Sequence, residues 1–501
     1  MSDRGPLLVA VDAGTTGARA AAIDLSGRVV AEARRRYRTR APQPGWAEQD
    51  PADWEAQAIA SLAGLARSLP RPGRVAGIGL TGQCPTVAPI GADGRPAGPG
   101  MLYRDNRAVA EAAEMRDRVG AEAMHARTGH VAQAFHIGPK VLWLRRHVPD
   151  VYAAARRFLQ PRDVVLRRLT GREATDETHA DATLFFDLER RRWADDLFAL
   201  FDVDPDRFPE VIAPWETAAE LPAAAAAETG FPAGIPVVIG AADSQCVAFG
   251  AGVLDPGPVS EMSGSSSCLN SAVVRPLAAL DVTHYSHVVP GRFTTELGIN
   301  TSGAAIDWAV RRLGYRGHAA LGADAERFVR RLARWRGDPR DAAPLFLPYL
   351  GDGERDDPAL RGAFVGLSLR HDRPALAYAV LEGLAFGVEV VLAYLQAAGS
   401  PVDELRVSGG GGRLAVLSQI KADVLGRPVL ALRADAAAIG TALLSGAAAG
   451  LAEEAESAVG MVLAAARRYE PSRGAERLAE RRAWYAATRA ATAVRQGWAA
   501  G

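Results

Sequence analysis

Asp12, Gly14, Thr15, Thr16 and Gly17 stand at the tip of what reads as a hairpin, between the apolar runs 7–11 and 18–23. One carboxylate, two hydroxyls and two glycines are more than a chain reversal requires, since one glycine or an Asn-Gly pair suffices. Glycine-rich backbone donates N–H groups without side-chain bulk, short hydroxyls add donors, and a carboxylate can hold a hydrated magnesium ion. The turn therefore reads as a cradle for phosphate and metal, with Asp12 holding magnesium directly or through water. A second turn of the same kind, 263–267, is Ser-Gly-Ser-Ser-Ser and follows another apolar strand; Ser265 and Ser266 are its candidate phosphate contacts. The glycine run 409–412, at a strand end before a helix, suits a nucleotide at Gly410 and Gly411, because ligands of open α/β sheets bind beyond the carboxyl ends of strands. An isolated turn of any of these kinds is ordinarily only a turn. Their joint occurrence in this order, each at the end of an apolar strand, points to phosphoryl chemistry.

The elements that must position these residues follow from the hydrophobic pattern. Strands are expected at 7–12, 18–24 and 29–37, forming an antiparallel meander, then a helix capped by Asp50 with Pro51 in its first turn. "VAGIGLTGQ" reads as a fully buried parallel strand. The second half repeats strand, hydroxyl-rich turn and strand. A long helix through 373–398 follows, ended by Gly399 and Pro401, then a strand into the four glycines and a helix closed by Gly426. "AIGTALLSGAAAG" is a helix with small residues at Gly440, Ala442 and Ser445. The tail after Leu451 reads as helical. A Pro- and Ala-rich stretch before 236 places the domain boundary near Gly250, giving domains 1–250 and 251–501.

Length and charge bound the rest. A chain of 501 residues with equal numbers of Lys+Arg and Asp+Glu, 58 each, suggests two domains and gives no sign of nucleic-acid or membrane binding. Cys84, Cys246 and Cys268 are far apart and lack metal-ligand spacing, as expected of a reduced, cytoplasmic protein. No signal peptide and no run of membrane-spanning length are expected. Lys140 and Lys421 are the two lysines, and no Gly-x-x-x-x-Gly-Lys-Ser/Thr occurs, which excludes a P-loop.

With these residues in view, the chain resembles the FGGY carbohydrate kinases of the actin/hexokinase/Hsp70 superfamily over roughly 7–450. "VDAGTTGARAAAID" resembles the family's first phosphate motif, "EMSGSSSCLN" its second and "SGGGGRLAVLSQIKADVLGRPV" its adenosine-side motif. "GWAEQDPADWE", "MLYRDNRA", "TDETHADATLFFDLERRRW" and "AIGTALLSGAAAG" are similar to further family segments, and "AAETGFPAGIPVVIGAADSQCVAFGAG" to the run holding the catalytic aspartate.

The resemblance implies two α/β domains of ribonuclease-H-like, actin-like ATPase type around a catalytic cleft, with sugar held mainly by the first and ATP mainly by the second. It implies ATP and Mg2+ as cofactors, a small sugar or polyol as acceptor, and Asp243 as base. Gln83, Tyr103, Asp105, Arg107 and Asp243 are the acceptor-side candidates; a homodimer is compatible with the sequence. His284 and His287 read as structural. Xylulose kinases typically show Gly-Gln-Met-His where this chain has Gly82-Gln83-Cys84-Pro85, the usual Trp before Asp-x-Arg is replaced by Tyr103-Arg104, and the Arg-Glu pair of glycerol kinases is absent after Gln83. A ketose such as xylulose is the first expectation for the acceptor, with other ketoses and polyols as alternatives. An actin- or Hsp70-like ATPase would require a protein-binding domain that the length does not supply. A catalytically silent sugar sensor would lose Asp12 or Asp243, and would carry a DNA-binding helix pair for which the meander starting at Leu7 leaves no room.

Overall fold

The computed structural model describes residues 5–351, 354, 360–472 and 475–496. By internal packing the chain forms two compact units: 1–254 with 273–295 and 434–462, and 255–272 with 296–433 and 463–501. The boundary expected near Gly250 thus marks only the first passage from one unit to the other; two later stretches belong with the first.

In the first unit a six-stranded sheet runs in the order Thr217–Glu220, Pro236–Ala242, Val75–Gly82, Leu7–Ala13, Gly17–Asp24, Val29–Arg36. The last three form the antiparallel meander, and Leu7–Ala13, Val75–Gly82 and Pro236–Ala242 are parallel neighbours. Their carboxyl ends lie side by side, Ala13 against Gly82 and Gly82 against Ala242. Leu7, Leu8, Val9, Val11, Ile78 and Leu80 are all buried because both faces are covered. Pro51–Ser68, capped by the Asp50 carboxylate on the Ala52 N–H, lies over one face, and Ala436–Ala448 packs against the same strands. The glycines of "GIG" make the second contact possible, since a Cβ on Gly79 would lie 2.1 Å from the Thr441 carbonyl oxygen.

In the second unit Gly257–Ser263 pairs antiparallel with Ser267–Val273 and parallel with Val402–Gly409, which is followed by Val429–Ala431. The expected helical tail is corrected here: Ala452–Ala464 and Ala475–Gln496 are helices, but Arg467–Tyr469 between them is a strand antiparallel to Val429–Ala431. The open edge of the sheet offers ladder hydrogen bonds that a three-residue helical turn could not replace. A second correction concerns membrane-length segments. Helix Arg373–Ala397 is long and apolar enough to cross a membrane, yet it is buried in the core of this unit, against His318–Leu332, Leu345–Leu347 and Ala415–Leu425.

Helix Asp243–Gly250 crosses Ala436–Ala448 at glycines: a Cβ on Gly440 would sit 2.0 Å from the Cys246 carbonyl oxygen and 3.0 Å from the Gly250 nitrogen. In an exposed helix Gly→Ala stabilises by up to about 1 kcal/mol. At this crossing the overlap falls on backbone that cannot yield, and overpacking of about 1–3 kcal/mol dominates. Gly440→Ala is therefore expected to lower the urea midpoint with an unchanged m-value; a midpoint at or above that of the native sequence would show that the crossing is slack.

Candidate active site

Asp12, the Gly14–Thr16 turn, Gln83 and Asp243 occupy the ends of the three parallel strands of the first unit. The sheet brings together what 231 residues of sequence separate, from Asp12 to Asp243. Asp12 stands opposite Thr81 on one side and Arg19 on the other.

The first turn is held from behind. The Tyr37 hydroxyl donates to the Gly14 carbonyl, and Gln49 Nε2 donates to the Thr15 carbonyl at 2.7 Å. Gln49 Oε1 in turn accepts from Trp54 Nε1 at 2.8 Å and from Gln83 Nε2 at 3.0 Å. With the carbonyls engaged, the amides of Gly14, Thr15 and Thr16 donate to no described residue. Backbone donors left open in a glycine-threonine turn can serve an anion. Gln49, Trp54 and Tyr37 were not anticipated as site residues, although Gln49 and Trp54 lie in the "GWAEQDPADWE" segment.

Asp12 is half-buried, but its Oδ1 is inaccessible and has no hydrogen-bond partner. Burial, reinforced by the Asp435 carboxylate, raises it to about 6 against the pull of Arg19 and Arg34. Arg19 is shared between Asp435 and Glu32. A small cavity of about 50 Å³ lies here, lined by Asp12, Arg19, Thr81, Asp435, Ala437 and Ala438 among others. A side chain at position 14 would press on the carboxylate, its Cβ 3.2 Å from Asp12 Oδ2, so Gly14 leaves it open. An orphaned carboxylate oxygen beside free amides fits a divalent cation that completes its shell from phosphate and water. Asp12 would hold it, with Asp435 at hand; among the described residues no group of three or more His, Cys, Asp or Glu is arranged as a metal site.

Asp243 is the first residue of helix Asp243–Gly250; Ala242 is the N-cap, and Asp243 Oδ1 accepts the Ser244 N–H at 2.8 Å. The acceptor-side candidates divide. Tyr103 presents an exposed ring. Gln83 is buried, linking Gln49 to the first turn, and its Oε1 is an unpartnered buried atom. Asp105 is fully buried, accepting from the Ala47 N–H at 2.7 Å and from Arg107. Arg107 pairs with Asp105 and Glu48 and lies 3.5 Å from the centre of the Trp46 ring. Lys140, buried behind them, donates to the Pro85 and Leu102 carbonyls at 3.2 and 2.7 Å, and burial lowers its pKa to about 7. His284 Nε2 accepts the Leu277 N–H and His287 Nε2 contacts the Val253 carbonyl, both structural roles.

In the second unit Ser265 and Ser266 are exposed at their turn, whose carbonyls at Gly264 and Ser265 accept amides from 302–304 at the start of helix Gly303–Arg312. The Ser265 and Ser266 amides donate to no described residue. The glycine run is adjacent: Ser263 pairs with Gly409, and a Cβ on Gly411 would lie 2.1 Å from Ser263 Oγ. Gly410 is exposed and begins the short turn Gly411–Arg413 before helix Ala415–Leu425. That helix is anchored by Lys421, whose Nζ lies 2.6 Å from Glu261 Oε2 in a fully buried pair.

Two α/β units, each with a hydroxyl-rich turn at a sheet end, have the actin-like ATPase fold. The models of the FGGY family of carbohydrate kinases, N-terminal and C-terminal domains, match residues 7–250 and 261–449. The chain belongs to this family, whose members are phosphotransferases acting on alcohol groups. It is 29% identical to the xylulose kinase of Escherichia coli (strain K12), over 84% of this chain and 85% of that one. It is 30% identical to the glycerol kinase of Bordetella parapertussis, over 98% and 97%. The crystal structure of xylulose kinase from Rhodospirillum rubrum superposes with a TM-score of 0.87 at 31% identity, covering 97% of this chain and 98% of that one.

A raised pKa in the folded protein means that the native state binds the Asp12 proton more tightly than the unfolded chain does. Native stability then falls as pH rises from the ordinary carboxylate value through about 6. Asp12→Asn removes this burden while removing the cation ligand. In chelator-treated, nucleotide-free protein its melting temperature should exceed that of the native sequence at about pH 7.5, and the margin should shrink towards about pH 5. Equal margins at both pH values would disprove the assignment.

Proposed function

We propose that this sugar kinase transfers the γ-phosphoryl group of ATP to a hydroxyl of a small neutral ketose such as xylulose, with Asp243 as general base. The observation that carries the reading is the first turn, with its free amides and orphaned carboxylate, at strand ends shared with Asp243. Thr15, Thr16, Ser265 and Ser266 contact the β- and γ-phosphates in this reading, and Gly410 and Gly411 lie along the nucleotide. Asp12 holds Mg2+, which when bound neutralises phosphate charge. The acceptor hydroxyl gives its proton to Asp243 as its oxygen bonds to the γ-phosphorus; the bond to the β-bridging oxygen breaks and ADP leaves.

A neutral acceptor is favoured because the one cation among the acceptor-side candidates, Arg107, is already offset by Glu48 and Asp105. A ketose is favoured over glycerol because Cys84-Pro85 stands where glycerol kinases carry an Arg-Glu pair. Tyr103 packs on the acceptor, while Gln83 and Asp105 hold the surrounding frame. Cys84, Cys246 and Cys268 form no disulfide, which with the need for ATP suits the cytoplasm.

Coupled ADP release with Mg-ATP across xylulose, ribulose, glycerol and gluconate tests this. A ketose should accelerate release, and Asp243→Ala should lower the sugar-dependent rate by about 10²–10⁴-fold. Acceleration by glycerol alone would overturn the ketose assignment, and acceleration by none would overturn the kinase reading.

A further inference from the structure

The strand that delivers Asp243 is irregular just before its end. Val238 pairs with Gly79 but Ala241 pairs with Thr81, so Ile239 and Gly240 together oppose the single residue Leu80. This is a β-bulge, a device that re-aims the chain beyond it. Gly240 has φ +71°, and a Cβ there would lie 1.8 Å from the Leu80 carbonyl oxygen. The bulge turns the Ile239 and Gly240 carbonyls out of the ladder into the interior. There Arg162 Nη1 takes both, at 2.6 and 3.3 Å.

Arg162 is fully buried, as are its counter-ions Asp163 and Asp176, at 2.8 and 2.9 Å. Burial would raise Asp176, but Arg162 and His179 prevail and hold it at about 2. Asp176 Oδ2 accepts the Thr178 hydroxyl at 2.6 Å, and the Thr178 oxygen accepts the Ala242 N–H at 2.8 Å. Ala242 is the residue before Asp243. The ion cluster thus grips the chain at three successive peptide groups leading to the carboxylate.

We infer that Arg162, Asp176 and Thr178 are positioning residues for Asp243, fixing the bulged strand end so that its carboxylate meets the acceptor hydroxyl. The inference rests on the function proposed above. None of the three touches substrate in this reading, so their effect falls on the transition state and not on binding. Thr178 is the member to test, because its hydroxyl can be removed without changing volume or charge.

Thr178→Val leaves the Ala242 N–H without its acceptor. Its kcat should fall about 10–100-fold, the scale of a misplaced catalytic group. KM for the acceptor and the calorimetric affinity for ADP should stay within about threefold, and Thr178→Ser should restore kcat to within about threefold. A structural role alone would lower the melting temperature and leave the kcat of the folded protein intact; that result, or failure of Ser to rescue, overturns the inference. Should the Val variant not fold, Thr178→Cys, which lacks the methyl group and offers only a weak sulfur acceptor, is judged by the same criterion. If the native sequence phosphorylates no acceptor, the proposed function fails and this inference with it. If it does and Thr178→Val matches its kcat, only the inference fails.

Discussion

A carboxylate withdrawn from water must be answered by a cation, a donor or a proton, and Asp12 is answered only in part. Its oxygen Oδ1 has no partner, and Arg19, the nearest cation in the register, is already shared with Asp435 and Glu32. The rest of the first unit is arranged around that deficit. Tyr37 and Gln49 draw the carbonyls of the neighbouring turn away from it, leaving amides on the open side. Trp54 and Gln83 fix Gln49 in turn. In the reading proposed above, this corner supplies donors to a polyanion and an oxygen to its cation.

The same economy of charge explains the two lysines. In a chain whose other strong cations are all arginines, Lys140 and Lys421 are both buried. Lys421 meets a single carboxylate, Glu261, which also accepts from Ser267 at the base of the serine turn. Lys140 donates to two carbonyls, and its burial disfavours the charge. A compact ammonium suits such sites better than a planar guanidinium with five donors. Arg162 is the converse case: two carboxylates and two bulge carbonyls arrayed in a fan require the guanidinium fork.

Much of this was legible in the sequence because it is carried by local pattern. The meander, the helix beginning at Pro51, the parallel strands and both hydroxyl turns follow from apolar runs punctuated by glycine, and their strand ends place Asp12 and Asp243 together by topology. What escaped reading depends on registry. Nothing in "PVVIGAAD" announces that two residues oppose one, since Gly240 reads as one more small strand residue. Gln49 and Thr178 lie within segments that resemble the family, but their partners are 34 and 64 residues away, at Thr15 and Ala242. Arg467–Tyr469 was missed because edge pairing, not propensity, makes it a strand.

This division also explains why relatives named for different acceptors stand at nearly the same distance. The xylulose kinase and the glycerol kinase are 29% and 30% identical to this chain. In the reading proposed above, phosphate chemistry depends on backbone amides, on glycines required by close contact, and on a few buried ions. Those demands preserve a scaffold while leaving most side chains free. In the reading proposed above, acceptor choice falls instead to a handful of groups at the strand-end loops: Cys84-Pro85, the exposed Tyr103 and the Arg107 edge. A change of two or three residues there alters identity by less than one part in a hundred of a 501-residue chain. Overall identity therefore measures how well the phosphoryl-transfer scaffold is kept, and the acceptor must be read from those few groups, where one missing or added polar partner shifts discrimination far more than global similarity does.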